Sequence, residues 1–248
     1  MKTFLKARWE NIIMVNYAID ASVLLGYLPY GTELDTFEGN AFVSLVGFRF
    51  VDSQIFGIPI PFFGSFDEVN LRFYVKRMNG SELRRGVVFV NELVPNPIVA
   101  FLANLLYKEH YTTAKMDSSI VIQNQSKEVS FAWKKDKKDY SIFAKMDDQA
   151  STIISGSLEE FIYEHYYGYT KVSSEETWEY RVNHPRWETN KINHFEINCD
   201  FGAMYGSDFE ILNNKKPISV FHAIGSEVSI DREIIKIKNK HNETYKNK

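Results

Sequence analysis

The chain has 248 residues, 44% hydrophobic and 25% charged, with a formal net charge of -3, enough to bury a sizeable core and without the basic field that nucleic-acid backbones attract. One cysteine, Cys199, excludes an internal disulfide and fits a reducing, cytoplasmic setting; its thiol reads either as buried and structural or as a nucleophile. The opening Met1 to Glu10 is charged every few positions, and no window holds the roughly 20 apolar residues needed to span a bilayer, so neither a signal peptide nor a membrane partner is expected.

Ile12 to Ile19 reads as a first strand, and Asp20 is placed to cap a short helix over Ala21 to Leu28 that Pro29 and Gly31 stop. Ala41 to Val51 is apolar apart from Ser44 and Arg49, as expected of a strand covered on both faces. A charge in that setting is normally paired, and Arg49 is expected to meet Glu68 from a neighbouring strand. The apolar loop from Gly57 to Gly64 carries Pro59 and Pro61, which cannot donate to a ladder. It reads as a flap over a pocket, a contact between copies of the chain, or a loop tucked against the core.

From Phe66 to Arg77 the chain alternates strictly, with Val69, Leu71, Phe73 and Val75 on one face and Glu68, Asn70 and Arg72 on the other. The polar face is either a wet surface or the wall of a cavity. In a cavity, an arginine can hold a carboxylate through two hydrogen bonds, and a glutamate raised in pKa by burial can move a proton. Asn79-Gly80 is a hairpin signal leading to a return strand over Gly86 to Leu93.

Pro95 and Pro97 bracket the entry to Ile98 to Tyr107, which has helical spacing, is apolar almost all round and is expected to be buried against the sheet. Lys108-Glu109-His110-Tyr111 then gathers four ionisable groups at a helix end. Strands are predicted over Ser119 to Ile122, Glu128 to Trp133 and Tyr140 to Met146, and Ser157 to Glu160 is a capping box opening a helix. Further strands follow from His165, over Glu176 to Val182, His194 to Asn198, Pro217 to His222 and Ser226 to Ile230. Residues 233–248 form a polar, basic tail expected to fray, leaving one domain over 1–232. The fold class is α+β: a curled, mostly antiparallel sheet, an open barrel or cone, with a few packed helices.

The six histidines show no metal-ligand spacing, and no serine elbow, phosphate loop or dinucleotide fingerprint is present, so no metal or cofactor is predicted. The residues that can carry chemistry are Glu68, Tyr111 and Lys115 as candidate catalytic groups and Arg49, Asn70, Arg72 and His110 as candidate ligand-binding groups.

Several segments resemble the YqjF-like bacterial family of the acetoacetate decarboxylase-like superfamily. They include Ala7-Arg8-Trp9-Glu10-Asn11, Leu28-Pro29-Tyr30-Gly31-Thr32, Glu68 to Val75, Leu105 to Tyr111 and His184-Pro185-Arg186-Trp187. The resemblance implies a curled sheet around a central cavity, with Glu68 where the decarboxylases keep an active-site glutamate. Those enzymes form a Schiff base through a lysine of depressed pKa. The corresponding place here is Glu109-His110-Tyr111, so Tyr111 stands in the lysine's position, with Lys108 and Lys115 flanking it. A phenol cannot form an iminium.

What survives is a cavity suited to a small carboxylate or ketone-like ligand. The alternatives are an enzyme of carbonyl chemistry, lyase or hydrolase-like, with Glu68 as acid or base and Tyr111 or Lys115 as partner, and a structural subunit assembling through the Gly57 to Gly64 loop. By analogy with the decarboxylases a homo-oligomer is expected.

Overall fold

Long stretches with a side-chain period of two set the architecture, which a computed structural model describes for residues 3–60 and 64–239. In chain order the elements are β1 (Thr3–Ile19), α1 (Ala21–Leu24), β2 (Glu33–Leu34), β3 (Ala41–Ile55), β4 (Ile58–Pro59), β5 (Phe66–Asn79) and β6 (Glu82–Val94). Then come α2 (Pro97–Tyr107), β7 (Tyr111–Thr113), β8 (Lys115–Gln123), β9 (Ser126–Lys135), β10 (Lys138–Thr152) and α3 (Leu158–Tyr163). The chain continues through β11 (Tyr167–Lys171), β12 (Glu176–Asn183), β13 (Glu188–Asn198), α4 (Phe201–Tyr205), a 3-10 turn over Ser207–Asn214, and β14 (Ser219–Lys238).

The strands belong to one sheet whose main order is β1-β3-β5-β6-β11-β12-β14-β13-β10-β9-β8. Because β1 also pairs β14, hydrogen bonds run from β1 through β3, β5, β6, β11, β12 and β14 and return. Beyond that circuit β13, β10, β9 and β8 continue as a wing, so the sheet as a whole is curled and is not a closed barrel. Pairing is antiparallel except where β6 meets β7 and β11. This is the curled α+β architecture that the sequence predicts.

The period of two divides the apolar residues between two cores. Ile13, Val15, Val43, Leu45, Leu71 and Phe73 face out of the curl and pack under the wing against Phe131, Ile142 and Met146. Their neighbours Ile12, Met14, Val46, Phe48, Phe50 and Tyr74 face inward. Gly47 lets the two layers approach, since a Cβ there would stand 2.8 Å from the Phe131 ring.

Three expectations change. The helix α2 is not buried against the sheet: only Ala100 and Tyr107 are buried, while Phe101 is 63% exposed. The reason is that α2 roofs a cavity, so its inner side meets space and its outer side meets solvent. The predicted strands over 217–222 and 226–230 are one strand, β14, and it runs into the expected tail. There Ile235 and Ile237 pair with Glu179 and Thr177 of β12, and the Lys236 ammonium lies 4.9 Å from the Trp178 ring centre; residues 240–248 lie outside the described residues. Of the apolar loop, Ile58–Pro59 pairs with β3, whereas Pro61, Phe62 and Phe63 lie outside the described residues. Among the described residues no helix is long and apolar enough to cross a membrane.

Candidate functional site

Every residue of β5 from Phe66 to Val75 is buried, so both faces of the alternating strand are covered. Val69, Leu71, Phe73 and Val75 enter the core beneath the wing. Glu68, Asn70 and Arg72 face the interior of the curl, at 2%, 1% and 9% exposure. Strand register brings further polar groups to them. Asn70 stands opposite Glu92 of β6, and Glu92 stands opposite Tyr111 of β7.

The Asn104 side chain, on the last turns of α2, fixes Tyr111 by accepting from its backbone N–H at 2.7 Å and donating to its carbonyl at 2.9 Å. Tyr111 then donates its hydroxyl hydrogen to Glu68 Oε2 at 3.2 Å, and Asn70 Nδ2 donates to Glu68 Oε1 at 3.0 Å. On the opposite wall the buried Glu109 accepts from Thr170 Oγ1 at 2.5 Å and from Tyr180 Oη at 2.8 Å. Gly168, paired with Tyr180 across β11 and β12, makes room for that ring: a Cβ would lie 2.1 Å from it.

Two chambers meet along Glu68, Tyr111 and Tyr180. The larger, about 130 Å³, lies beneath α2 and is walled chiefly by apolar side chains including Phe4, Ile55, Val99, Leu102 and Ile230. The smaller, about 50 Å³, contains Asn70, Arg72 and Glu92.

Its electrostatics follow from burial. Glu68 is pushed up to about 7 by loss of hydration, against the opposing pull of its bonds from Asn70 and Tyr111 and of the Arg72 charge. Burial likewise takes Glu109 up to about 7, and it lifts Glu92 well above the ordinary carboxylate range, with the Glu109 and Glu68 charges adding to the rise. Burial and the two neighbouring glutamates, Glu68 and Glu92, also push the Tyr111 phenol up. Burial thus shifts all three carboxyls of the site toward their protonated form. Asn70 Oδ1, Arg72 Nε and Glu92 Oε2 are buried without a hydrogen-bond partner among the described residues.

Three predicted site residues lie elsewhere. Arg49 does not meet Glu68: the register sets Arg49 opposite Asp67 and Phe48 opposite Glu68, so Arg49 points out of the curl to Asp67 at 3.4 Å and Ser118 Oγ at 3.1 Å. Adjacent residues on a strand face opposite ways, and that one-residue offset decides the pairing. His110 is exposed, and only its backbone carbonyl turns inward, accepting from Asn91 Nδ2 and from the Glu92 N–H. Lys115 is exposed on β8 opposite Lys134, away from both chambers. Lys108 is exposed as well, with its ammonium 6.0 Å from the Trp178 ring centre. Among the described residues no lysine lines either chamber.

Glu92 and Tyr180 escaped the sequence reading, and Glu109 stood there only within a polar cluster. The available signal was Asn91-Glu92 interrupting an apolar strand, the kind of anomaly that Arg49 presents in β3. Among the described residues no group of His, Cys, Asp and Glu is arranged to hold a metal. Cys199 is no activated nucleophile, since burial pushes its thiol up to about 12.

Comparisons with known proteins bear on this geometry. The family model of DUF2071, an uncharacterized conserved protein, matches residues 6–227. An uncharacterized protein of Bacillus subtilis (strain 168), YqjF, is 32% identical over 72 residues; the match covers 29% of this chain and spans only 30% of that protein's length. Among solved structures, an acetoacetate decarboxylase from Legionella pneumophila superposes with a TM-score of 0.61 at 14% identity, covering 94% of this chain and 87% of that one. The enduracididine biosynthesis enzyme MppR, complexed with pyruvate, gives 0.62 at 13% identity, over 95% and 91%. Another acetoacetate decarboxylase structure gives 0.65 at 13% identity, over 97% and 92%. At such identities the likeness establishes an acetoacetate decarboxylase-like fold and nothing about chemistry.

Proposed function

This chain belongs to the DUF2071 family, and we propose that it binds a small carboxylate or carbonyl compound inside the curled sheet, without Schiff-base chemistry. One observation carries the reading: Glu68, Asn70 and Arg72 face an interior cavity where Asn70 Oδ1, Arg72 Nε and Glu92 Oε2 have no protein partner. Buried polar atoms left unpaired cost about 1–3 kcal/mol each, and a ligand's polar atoms would recover that free energy. Arg72 Nε offers a donor to a carboxylate oxygen, and beside it stand Asn70 Oδ1, an acceptor, and the Glu92 carboxyl, which burial holds above the ordinary carboxylate range. The reading without Schiff-base chemistry draws on a lining that among the described residues contains no lysine to supply the amine of an iminium.

A second reading, an enzyme of carbonyl chemistry, draws on the Glu68 carboxyl lying near 7, where it can accept or release a proton at physiological pH. In that case the Glu68 carboxylate takes a proton from the carbon beside a carbonyl, and Arg72 and Tyr111 stabilise the enolate oxygen. Both readings are tested by titrating pyruvate and acetoacetate calorimetrically into the protein and its Arg72→Met variant. The expected result is saturable heat that falls at least tenfold in affinity in Arg72→Met, with no product trapped by borohydride; borohydride trapping would overturn the first reading. Exchange of ligand C–H for deuterium, followed by NMR and lost in Glu68→Gln, would favour the enzyme.

A further inference from the structure

Resting on the reading that the Glu68 to Arg72 wall binds a carboxylate or carbonyl head group, we infer that the ligand is amphipathic, with an apolar tail of about four to six carbons, or one ring, lying under α2. Both chambers are lined chiefly by apolar side chains, but Asn70, Arg72 and Glu92 belong to the smaller alone, and the two share Phe50, Glu68, Tyr111, Tyr180 and Ile230. A head group held there sits at the inner end of a chamber walled by Phe4, Leu5, Ile55, Val99, Leu102 and Ile230.

The larger chamber, about 130 Å³, approaches the roughly 150 Å³ at which an apolar cavity takes up a benzene-sized molecule. Water gains little there, because a water molecule needs two to four polar partners and the lining is chiefly apolar, with Glu68, Asn96, Glu109 and the tyrosine hydroxyls its few polar groups. A ligand as small as pyruvate would fill the head chamber and leave the apolar one vacant. The sequence supports the same division. Pro97 and the Asn96 cap, whose Oδ1 accepts from the Ile98 N–H at 2.8 Å, start a helix with apolar residues on its inner side. The Asn104 bonds to Tyr111 then couple that roof to the head-group site. Chain length of the ligand is thus read by α2, and Leu102 and Val99 are specificity-determining residues.

The test is a homologous series of linear 2-oxo acids, from pyruvate through 2-oxobutyrate and 2-oxohexanoate to 2-oxooctanoate, titrated calorimetrically, with 1-hexanol as a tail lacking the acid head. The expected result is a dissociation constant that falls about fourfold per methylene until the chamber is full and then levels off. Leu102→Trp should abolish that gain, so that 2-oxohexanoate binds no more tightly than pyruvate does to the same variant, and Val99→Phe serves if Leu102→Trp does not fold. A flat series in which pyruvate binds as well as 2-oxohexanoate would overturn the tail and keep the head-group reading. If 1-hexanol binds as tightly as 2-oxohexanoate, the tail stands and the head-group reading fails. Absence of binding by every member overturns both.

Discussion

The two faces of β5 belong to one backbone yet obey different rules. Outward, Val69, Leu71, Phe73 and Val75 meet Phe131 and the wing in a close-packed apolar core. Inward, two residues away at each step, Glu68, Asn70 and Arg72 surround space, and three of the polar atoms gathered there lack a protein partner. The outer face maximises stability; the inner one sacrifices it. Buried acids and polar atoms without partners carry a free-energy cost, and this contrast is what the proposed binding role of the inner face rests on.

The contrast can be broken first on its strong side. Phe131→Ala empties the core beneath the wing, and chemical denaturation should show a loss of about 3–5 kcal/mol; a loss under about 1 kcal/mol would mean that the wing is not packed on β3 and β5. Glu92→Leu should act in the opposite direction. Replacing a buried acid whose Oε2 has no hydrogen-bond partner among the described residues by an apolar side chain should raise stability by about 1–3 kcal/mol while weakening ligand binding. A destabilised Glu92→Leu would mean that the acid is paired within the fold.

A pH titration sharpens the comparison further. The folded-state pKa of Glu68 is raised from 4.5 to about 7, so the folded chain keeps a proton that the unfolded chain has already released. Stability should therefore fall as pH rises from 4.5 to 7 and stay level above it, because the folded state binds more protons over that window. His165, His184 and His222, all lowered by burial, give the opposite slope, since there the unfolded chain takes up protons first. These histidines are common to wild type and Glu68→Gln and cancel in the difference, which reports Glu68 together with Glu92, whose own rise the Glu68 charge feeds: the advantage of Glu68→Gln should grow between pH 4.5 and 7 and then stop growing.

The smallest effect is expected outside. Arg49 is an outward, partly exposed partner of Asp67, and Arg49→Ala should cost under about 1 kcal/mol and leave ligand affinity unchanged.

Much of this was legible before any coordinates. The alternation in β5, the Asn79-Gly80 hairpin, the Asp20 and Ser157 caps and the helix opened by Pro97 are local signals, and each lies where the sequence puts it. Glu92 and Tyr180 were not legible, because each belongs to the site only through strand pairing and curl. Arg49 and Lys115 were misplaced for the same reason: a charge in an apolar segment signals a partner, but register names it.

The sequence by itself determined that Glu68, Asn70 and Arg72 share a face, since a period of two is a property of the extended backbone. Only the tertiary structure decided which way that face points. Curling of the sheet, the β1–β14 pairing and the wing covering the other side turn it inward, where loss of water moves the pKa of Glu68 to about 7 and a polar stripe becomes a cavity wall.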